Sequence, residues 1–269
     1  MNRKPLVSVI MSEYNSDISL LKSSIESIIN QDYNNLELIV IDDCGKNDVE
    51  EVVSQYKDER IKVYKNEFNL GLVQSLNKAI ELCNGKYIAR MDTDDYSYSN
   101  RIRLQVEFLE KNPRYALIGS RVDKYDGKEI WGETNFWGEV TRQNLLEGSS
   151  LTHPSVMYRA DVIRKIGGYI NYKRCEDYAT WIEFYYNGYE IYVMKEKLVR
   201  YHLSLEDYKK RTLKTRKDLF RMLHTQYKKL NPTLFQMFIV YTKNIIAGIL
   251  PWKIIYNYHR RKNKVYEKN

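Results

Sequence analysis

Apolar positions recur along the first half of the chain in two alternating rhythms. Residues 6–11 and 36–41 are continuous apolar runs of the kind that buried parallel strands use. Between them, Ser16 or Asp17 can cap a helix whose apolar positions Ile18, Leu21, Ile25 and Ile28 keep the 3.6-residue period. Val49, Val52, Val53 and Tyr56 predict a second helix, and residues 61–64 a short third strand. Val73, Leu76, Ile80 and Cys83 mark a third helix, which Asn84-Gly85 ends before a fourth strand at 87–91. A β-α-β-α-β-α-β alternation folds most naturally as a parallel sheet covered by helices.

The pattern continues less regularly. Ile102, Val106 and Leu109 predict a helix that stops at Asn112-Pro113, and residues 115–119 a strand. Residues 121–150 are mixed and aromatic with no clean period; they read as an irregular segment, a mobile flap near the substrate. A strand at 153–158 follows, then a helix through Val162, Ile163 and Ile166 that ends at Gly167-Gly168. A further helix opens on Glu176 and Asp177, with Tyr178, Trp181, Ile182 and Tyr185 as its apolar face. Residues 206–230 form a basic helical stretch with an interrupted face of Leu213, Leu219, Phe220, Leu223 and Tyr227. After Asn231-Pro232 comes an apolar run at 234–250, 17 residues that include Gln236, Lys243 and Asn244 and are closed by Pro251. A spanning helix needs about 20 apolar residues. An interfacial helix with basic flanks and Trp252 at headgroup level fits the segment 233–256 better, the alternative being a helix packed on the body of the protein.

Length and charge refine this picture. The 269 residues suffice for one large domain with an appendage, divided here as 1–205 and 206–269, the first part with a boundary near 97 between its halves. Residues 1–194 hold 24 Lys and Arg against 30 Asp and Glu, a net of −6, whereas residues 195–269 hold 19 against 5, a net of +14. A basic tail on an acidic body predicts an anionic partner. The tail's long apolar run favours a membrane surface and argues against nucleic acid. Cys44, Cys83 and Cys175 are scattered, which speaks for a reducing compartment and against a zinc site or disulfide framework. No long apolar leader precedes the first strand, so the expectation is a cytoplasmic protein, peripheral on the inner face of the membrane. Neither GxGxxG nor GxxxxGK[ST] occurs, which excludes the usual dinucleotide and P-loop signatures.

The fourth strand runs directly into Asp92, Asp94 and Asp95. Carboxylates this close repel one another unless a cation compensates them. Mn²⁺ or Mg²⁺ does so, preferring carboxylate oxygen and leaving positions open for a substrate's phosphates. The ends of strands in open α/β sheets are where ligands bind. Glu176 and Asp177 are compatible with ordinary helix capping. Beside a metal–diphosphate site they gain a second meaning, because an attacking hydroxyl must lose its proton to a positioned carboxylate.

Several stretches together resemble glycosyltransferase family 2, the inverting GT-A type, over residues 5–205, and within it the bacterial transferases of exopolysaccharide and capsule. They are Val7-Ser-Val-Ile-Met-Ser-Glu-Tyr-Asn15, Val40-Ile-Asp-Asp43, Asn69-Leu-Gly-Leu72 with Ser75-Leu-Asn-Lys78, Ala89-Arg-Met-Asp-Thr-Asp-Asp95, His153-Pro-Ser155, Gly167-Gly-Tyr169 and Glu176-Asp177 with Trp181. The resemblance implies a GT-A fold, an α/β Rossmann-like mixed sheet with helices on both faces. It implies a UDP-sugar donor, a glycan or lipid-linked acceptor, and a single in-line displacement. Ser12 and Tyr14 would border the uracil, with Asn15 also in the nucleotide-sugar site; Asp43 would accept from the base imide with Asp42 close by, and Asn69 and Ser75 would contact the nucleotide or the donor sugar. Asp92 would lie near the ribose or donor sugar, and Asp94 and Asp95 would face the metal–diphosphate unit with His202 as a further ligand. Asp177 would be the base with Glu176 its neighbour, and His153 and Trp181 would lie on the acceptor side. One departure stands out: Glu13 replaces a small hydroxyl residue and brings a negative charge near the nucleotide pocket unless it points away. The competing function is a regulatory or binding protein that keeps this fold with little turnover.

Overall fold

The computed structural model describes residues 4–263 apart from positions 211 and 213 and the side chain at 214. Leu213 and residues 264–269, expected in the basic tail, lie outside the described residues. The first half realises the expected alternation: β1 (Val7–Glu13), α1 (Ile18–Ile29), β2 (Leu36–Asp42), α2 (Val49–Ser54), β3 (Ile61–Lys65), α3 (Leu72–Leu82) and β4 (Tyr87–Arg90). These strands lie in the order β3-β2-β1-β4, every pair parallel. Asp17 is the residue that caps α1, its carboxylate accepting from the amides of Ser19 and Leu20.

The second half makes the sheet mixed. It comprises β5 (Tyr96–Ser97), α4 (Arg101–Lys111), β6 (Tyr115–Tyr125), β7 (Ile130–Glu133), β8 (Gly138–Glu139), α5 (Arg142–Glu147), β9 (Met157–Arg159), α6 (Ala160–Lys165), α7 (Glu176–Tyr186) and β10 (Glu190–His202). After them come α8 (Leu205–Lys209), α9 (Lys217–Thr225), α10 (Leu234–Ile249) and α11 (Trp252–Lys262). The short β9 runs antiparallel between β4 and β6 and joins the two halves into one ten-stranded sheet, in which β10 lies parallel to β6 and antiparallel to β5.

The expected flap at 121–150 is not irregular. It holds the end of β6, the strands β7 and β8, and the capped helix α5, whose Thr141 and Asn144 form a reciprocal capping box. Its period was hidden because β7 and β8 are only 4 and 2 residues long and lie off the main strand order. The strand expected at 153–158 begins later, since His153–Ser155 is a single 3-10 turn. The 13-residue β10 escaped the pattern reading: Lys195, Glu196 and Lys197 interrupt its apolar run where its pairing with β6 slips register.

Helices cover both faces. On one, α1, α2 and α4 supply Leu21, Ile25, Ile28, Val49, Val52, Ile102, Val106 and Leu109; on the other, α3, α6, α7 and α9 supply Leu76, Ile80, Ile163, Trp181, Ile182, Met222 and Leu223. Tyr227 and Leu230 join the second face too, so the stretch 206–230 is anchored in the main core. Ile18, placed on the apolar face of α1 by its spacing, is 47% exposed because it sits in the first turn, beyond the sheet.

One junction fixes α3 against the loop before α7. Asn77 accepts from the Tyr169 amide at 2.8 Å and donates to the Tyr169 carbonyl at 3.0 Å. Gly168, at φ +76°, lies so close that a Cβ would drive into the Asn77 amide oxygen. Gly168→Ala meets both that clash and the left-handed backbone. It should lower stability by about 1–3 kcal/mol, read as a lower urea midpoint with unchanged slope.

Candidate active site

Four elements converge where β1, β2 and β4 end. Glu13, the last residue of β1, is fully buried and turned toward the protein. Its Oε1 accepts from the Ser16 amide (2.9 Å) and the Asn47 side chain (2.8 Å), while Oε2 has no partner among the described residues. It therefore does not load charge into an open pocket but folds the loop behind it. In that loop Asn15 adopts a left-handed conformation (φ 57°) and takes the Lys46 amide on its Oδ1 at 2.8 Å, leaving Tyr14 half-exposed. Ser12 is half-buried beside them.

Asp42 and Asp43 close β2 and are almost fully buried. Asp42 accepts from the Cys44 amide at 3.0 Å and lies 3.6 Å from the Lys65 ammonium. The Asp43 carboxylate takes three N–H groups at 2.8 Å, from the Asn66 side chain and from the Leu70 and Gly71 amides. Asp43 thus shapes the Asn69-Leu-Gly turn at the start of α3, and only its remaining lone pairs face elsewhere. Asn69 is exposed, with a long contact (3.4 Å) to the Asp43 carbonyl. Ser75 is fully buried, its hydroxyl accepting from Asn66 at 3.0 Å, so it supports the turn from within.

At the end of β4 the acidic cluster is real: ligand oxygens of Asp92, Asp94 and Asp95 lie within 4.8 Å of one another. Asp92 pairs with Arg90 and is held through its carbonyl by the Ser24 hydroxyl at 2.5 Å. Asp95 is 2% exposed; its Oδ1 accepts from the backbone amide of His202 at 2.6 Å, and its Oδ2 is buried without a partner among the described residues. Burial, with Asp92 and Asp94 adding repulsion, holds the Asp95 carboxyl well above the usual range. The His202 ring lies 3.5 Å from Asp94, whose carboxylate raises the pKa of the imidazole. An orphaned buried carboxylate oxygen, two crowded neighbours and an imidazole beside them are the donor set a divalent cation requires, so these residues fit a metal.

The second carboxylate pair stands at the start of α7. Cys175 turns the chain through a left-handed conformation (φ 64°) immediately before Glu176. Burial, then the charge of Asp177, push Glu176 up to about 8, and burial also raises Asp177. His153 faces this pair, its Nδ1 3.8 Å from Glu176 and its Nε2 2.8 Å from the Tyr169 hydroxyl, which in turn meets the Tyr158 hydroxyl at 2.6 Å. Burial, followed by the nearby charge of Arg90, lowers the His153 pKa well below its ordinary value, so the ring is neutral. Trp181, expected on the acceptor side, is fully enclosed and packs edge-on against His153 at 5.9 Å between ring centres. It backs the site rather than lining it.

Two cations went unread in the sequence. Arg90, 2% exposed inside an otherwise apolar strand, pairs with Asp92 and its charge also lowers the pKa of Asp95, Glu176 and Asp177. Burial alone would weaken its charge, but Asp92, Tyr169 and Asp95 more than restore it. A charged residue within a short buried strand was the signal that could have singled it out. Arg200, two positions before His202 on β10, lies between the rings of Tyr96 (4.7 Å) and Tyr125 (4.5 Å). Only the length of β10 brings it here.

Comparison with known proteins agrees with this geometry. The profile of Glycosyl transferase family 2 matches residues 8–167. The chain is 31% identical to the Bacillus subtilis protein described as glycosyltransferase EpsE over 97% of this chain and 96% of that one. It is 29% identical to the Escherichia coli UDP-Glc:alpha-D-GlcNAc-diphosphoundecaprenol beta-1,3-glucosyltransferase WfaP over 68% and 71%. Among solved structures, Staphylococcus aureus TarS 1–349 superposes with a TM-score of 0.67 at 21% identity, covering 85% of this chain and 66% of that one; its complex with UDP-GlcNAc gives 0.63 at 20%, covering 90% and 81%. The chain belongs to glycosyltransferase family 2. It is a glycosyltransferase with the GT-A-like mixed α/β sheet that the resemblance implied.

Two predictions follow from the charges. Arg90→Gln removes the buried partner of Asp92 and the nearest cation to Glu176 and Asp177. It should cost about 3 kcal/mol in urea unfolding, the lower end for breaking a buried pair because Asp92 keeps 31% exposure. Glu176, raised to about 8 in the folded protein, binds a proton there that the unfolded chain has lost above its ordinary value near 4.5. Its contribution is full below the unfolded value and declines as pH rises toward 8, by at most roughly 1.4 kcal/mol per pH unit. Glu176→Gln should flatten the fall of Tm between pH 5 and 8; an unchanged slope would remove the assignment.

Proposed function

We propose that this glycosyltransferase moves one sugar from a nucleotide-diphosphate donor, a UDP-sugar, to a hydroxyl of a glycan or lipid-linked acceptor during bacterial polysaccharide synthesis. The observation that carries the reading is the acidic cluster after β4, where oxygens of Asp92, Asp94 and Asp95 lie within 4.8 Å of one another with His202 beside Asp94, together with a second pair of buried acids, Glu176 and Asp177, that feels the charge of Arg90. The printed name of WfaP, with a UDP-Glc donor and a diphosphoundecaprenol-linked acceptor, supports this choice of donor and acceptor class, as do the UDP and UDP-GlcNAc complexes of TarS.

In this mechanism Asp177 takes the proton of the acceptor hydroxyl as that oxygen attacks the anomeric carbon from the face opposite the leaving group. The direction of its shift suits the role, since a carboxylate raised toward neutrality is a stronger base. Glu176 keeps its own proton near neutral pH, so the pair presents one negative charge rather than two. His153, neutral and held by Tyr169, borders the acceptor side without adding charge. Tyr14 offers its half-exposed ring to the base, with Ser12, Asn15, Asp42 and Asp43 around it and Asn69 toward the phosphates or sugar; Asp92, oriented by Arg90, lies toward the ribose. A Mn²⁺ or Mg²⁺ ion held by Asp94 and Asp95, with His202 beside them, would neutralise charge on the departing diphosphate as a Lewis acid. With no covalent intermediate on the protein, configuration inverts. The tail at 206–269 brings the enzyme to an anionic membrane surface on the cytoplasmic side, where lipid-linked acceptors are held.

Calorimetric titration of UDP, GDP and dTDP with Mn²⁺, Mg²⁺ or EDTA is the test. UDP should bind with metal, and binding should fall at least tenfold in EDTA and in Asp94→Ala. Asp177→Asn should leave UDP affinity within twofold and lower transfer by about 10²–10⁴; near-normal transfer in that variant overturns the base assignment, and no nucleotide binding under any metal favours a regulatory protein with this fold.

A further inference from the structure

The longest helix of the chain has no buried residue. Of its 16 positions, Met237, Val240 and Tyr241 lean on the main core, where Tyr241 stacks on Phe220, and Asn244 accepts from Arg216 at 2.8 Å. The opposite stripe of α10 is open: Leu234 is 91% exposed, Phe235 70%, Phe238 66% and Ile249 68%, with Ile239, Ile245, Ile246 and Leu250 also exposed. These positions recur at helical spacing over roughly 24 Å of helix. An apolar row of this length left to water is disfavoured, so something covers it.

The charge around the row selects the occupant. Between Asp218 and Glu267 the sequence holds nine Lys and Arg and no Asp or Glu. A second copy would bring two such cationic surfaces together, which mutual repulsion opposes. An anionic lipid surface complements both the apolar row and its cationic flanks. Geometry sets the depth. At 16 residues α10 is shorter than the roughly 30 Å hydrocarbon layer, and the chain bends by 118° into α11 after Pro251. No single described helix is long and apolar enough to cross a membrane, and α10 fits a helix lying in the plane of the surface.

We infer that the Leu234-Phe235-Phe238-Ile245-Ile246-Ile249 face of α10 is a monotopic docking surface for anionic lipid, with Lys243 and Lys253 at its edge. It gives the membrane partner of the reading above its contact face, and it rests on that reading only for the choice of acceptor. α11 braces the device from behind. Tyr208 and Tyr256 pack at 5.3 Å between ring centres, and Arg260 pairs with Glu129 of the β6–β7 turn. On α11, Ile254 and Tyr258 are exposed as well.

Co-sedimentation of the purified full chain with vesicles of phosphatidylcholine alone, or with 30% phosphatidylglycerol, tests this. The protein should partition at least tenfold more onto the anionic vesicles and release as NaCl rises from 0.1 to 0.5 M. Phe235→Ser combined with Phe238→Ser should lower that partitioning at least tenfold while thermal unfolding and UDP affinity stay unchanged, since neither ring is buried. Equal partitioning of wild type onto both vesicle types, or undiminished partitioning of the double variant, overturns the inference, as does a wild-type dimer that the double variant turns monomeric without a change on vesicles. The nucleotide titration is read separately: vesicle binding without UDP binding removes the donor assignment and leaves the docking face standing.

Discussion

A single buried guanidinium sets the terms for everything at the ends of the parallel strands. Arg90 carries its charge at 2% exposure, and a cation so placed is tolerable only among anions. Those anions come from segments far apart in the chain: Asp92 and Asp95 after β4, and Glu176 and Asp177 from α7. Each carboxylate is raised by burial and would be raised further without Arg90. A second buried guanidinium, Arg101, donates to the Arg90 carbonyl at 2.8 Å and fixes the backbone beneath. The acidic cluster after β4 and the acid pair at the start of α7 thus share one buried cation in their electrostatics.

The first half was legible because its physics is local. Strands β1, β2 and β4 are buried on both faces and read as largely apolar runs, with β3 half-buried at the sheet edge, and α1, α3 and α4 follow the 3.6 period closely enough that their core residues could be named. The acidic cluster was legible for a related reason, since three carboxylates within four residues at the end of a strand stand out in the sequence itself. What stayed hidden depends on pairing at a distance. β10 has no continuous pattern and exists as a strand because β6 is beside it, and β5 has two residues. Trp181 shows the limit of motif reading: its place beside Glu176 and Asp177 in sequence suggested a wall of the acceptor site, yet its helix turns it fully into the core.

Glu13 and Asp43 make a related point about buried acids. Glu13 was weighed as a charge near a nucleotide and turns inward to a loop amide and a side chain, while Asp43 spends part of its lone pairs on the turn before α3. Left-handed Asn15 and Cys44 lie next to them in the same loops, strained positions of the kind that persist only where the surroundings over-determine them. Hydrogen bonds behind the strand ends hold these loops, while Tyr14, Asn69 and Asp94 stay at the surface.

The bond from the His202 amide to Asp95 spans 107 residues of sequence, which has a consequence in time. On the ribosome the chain appears from its N-terminus, and at about 5–20 residues per second roughly 5–20 s separate the emergence of the two partners. During that interval the parallel strands can already assemble, but the acidic loop lacks the amide and imidazole that later cap it, and α7 with its second pair of acids is also still to come. The nascent half therefore carries an acidic loop with only Arg90 to balance it, and the last strand to arrive is the one that closes that loop.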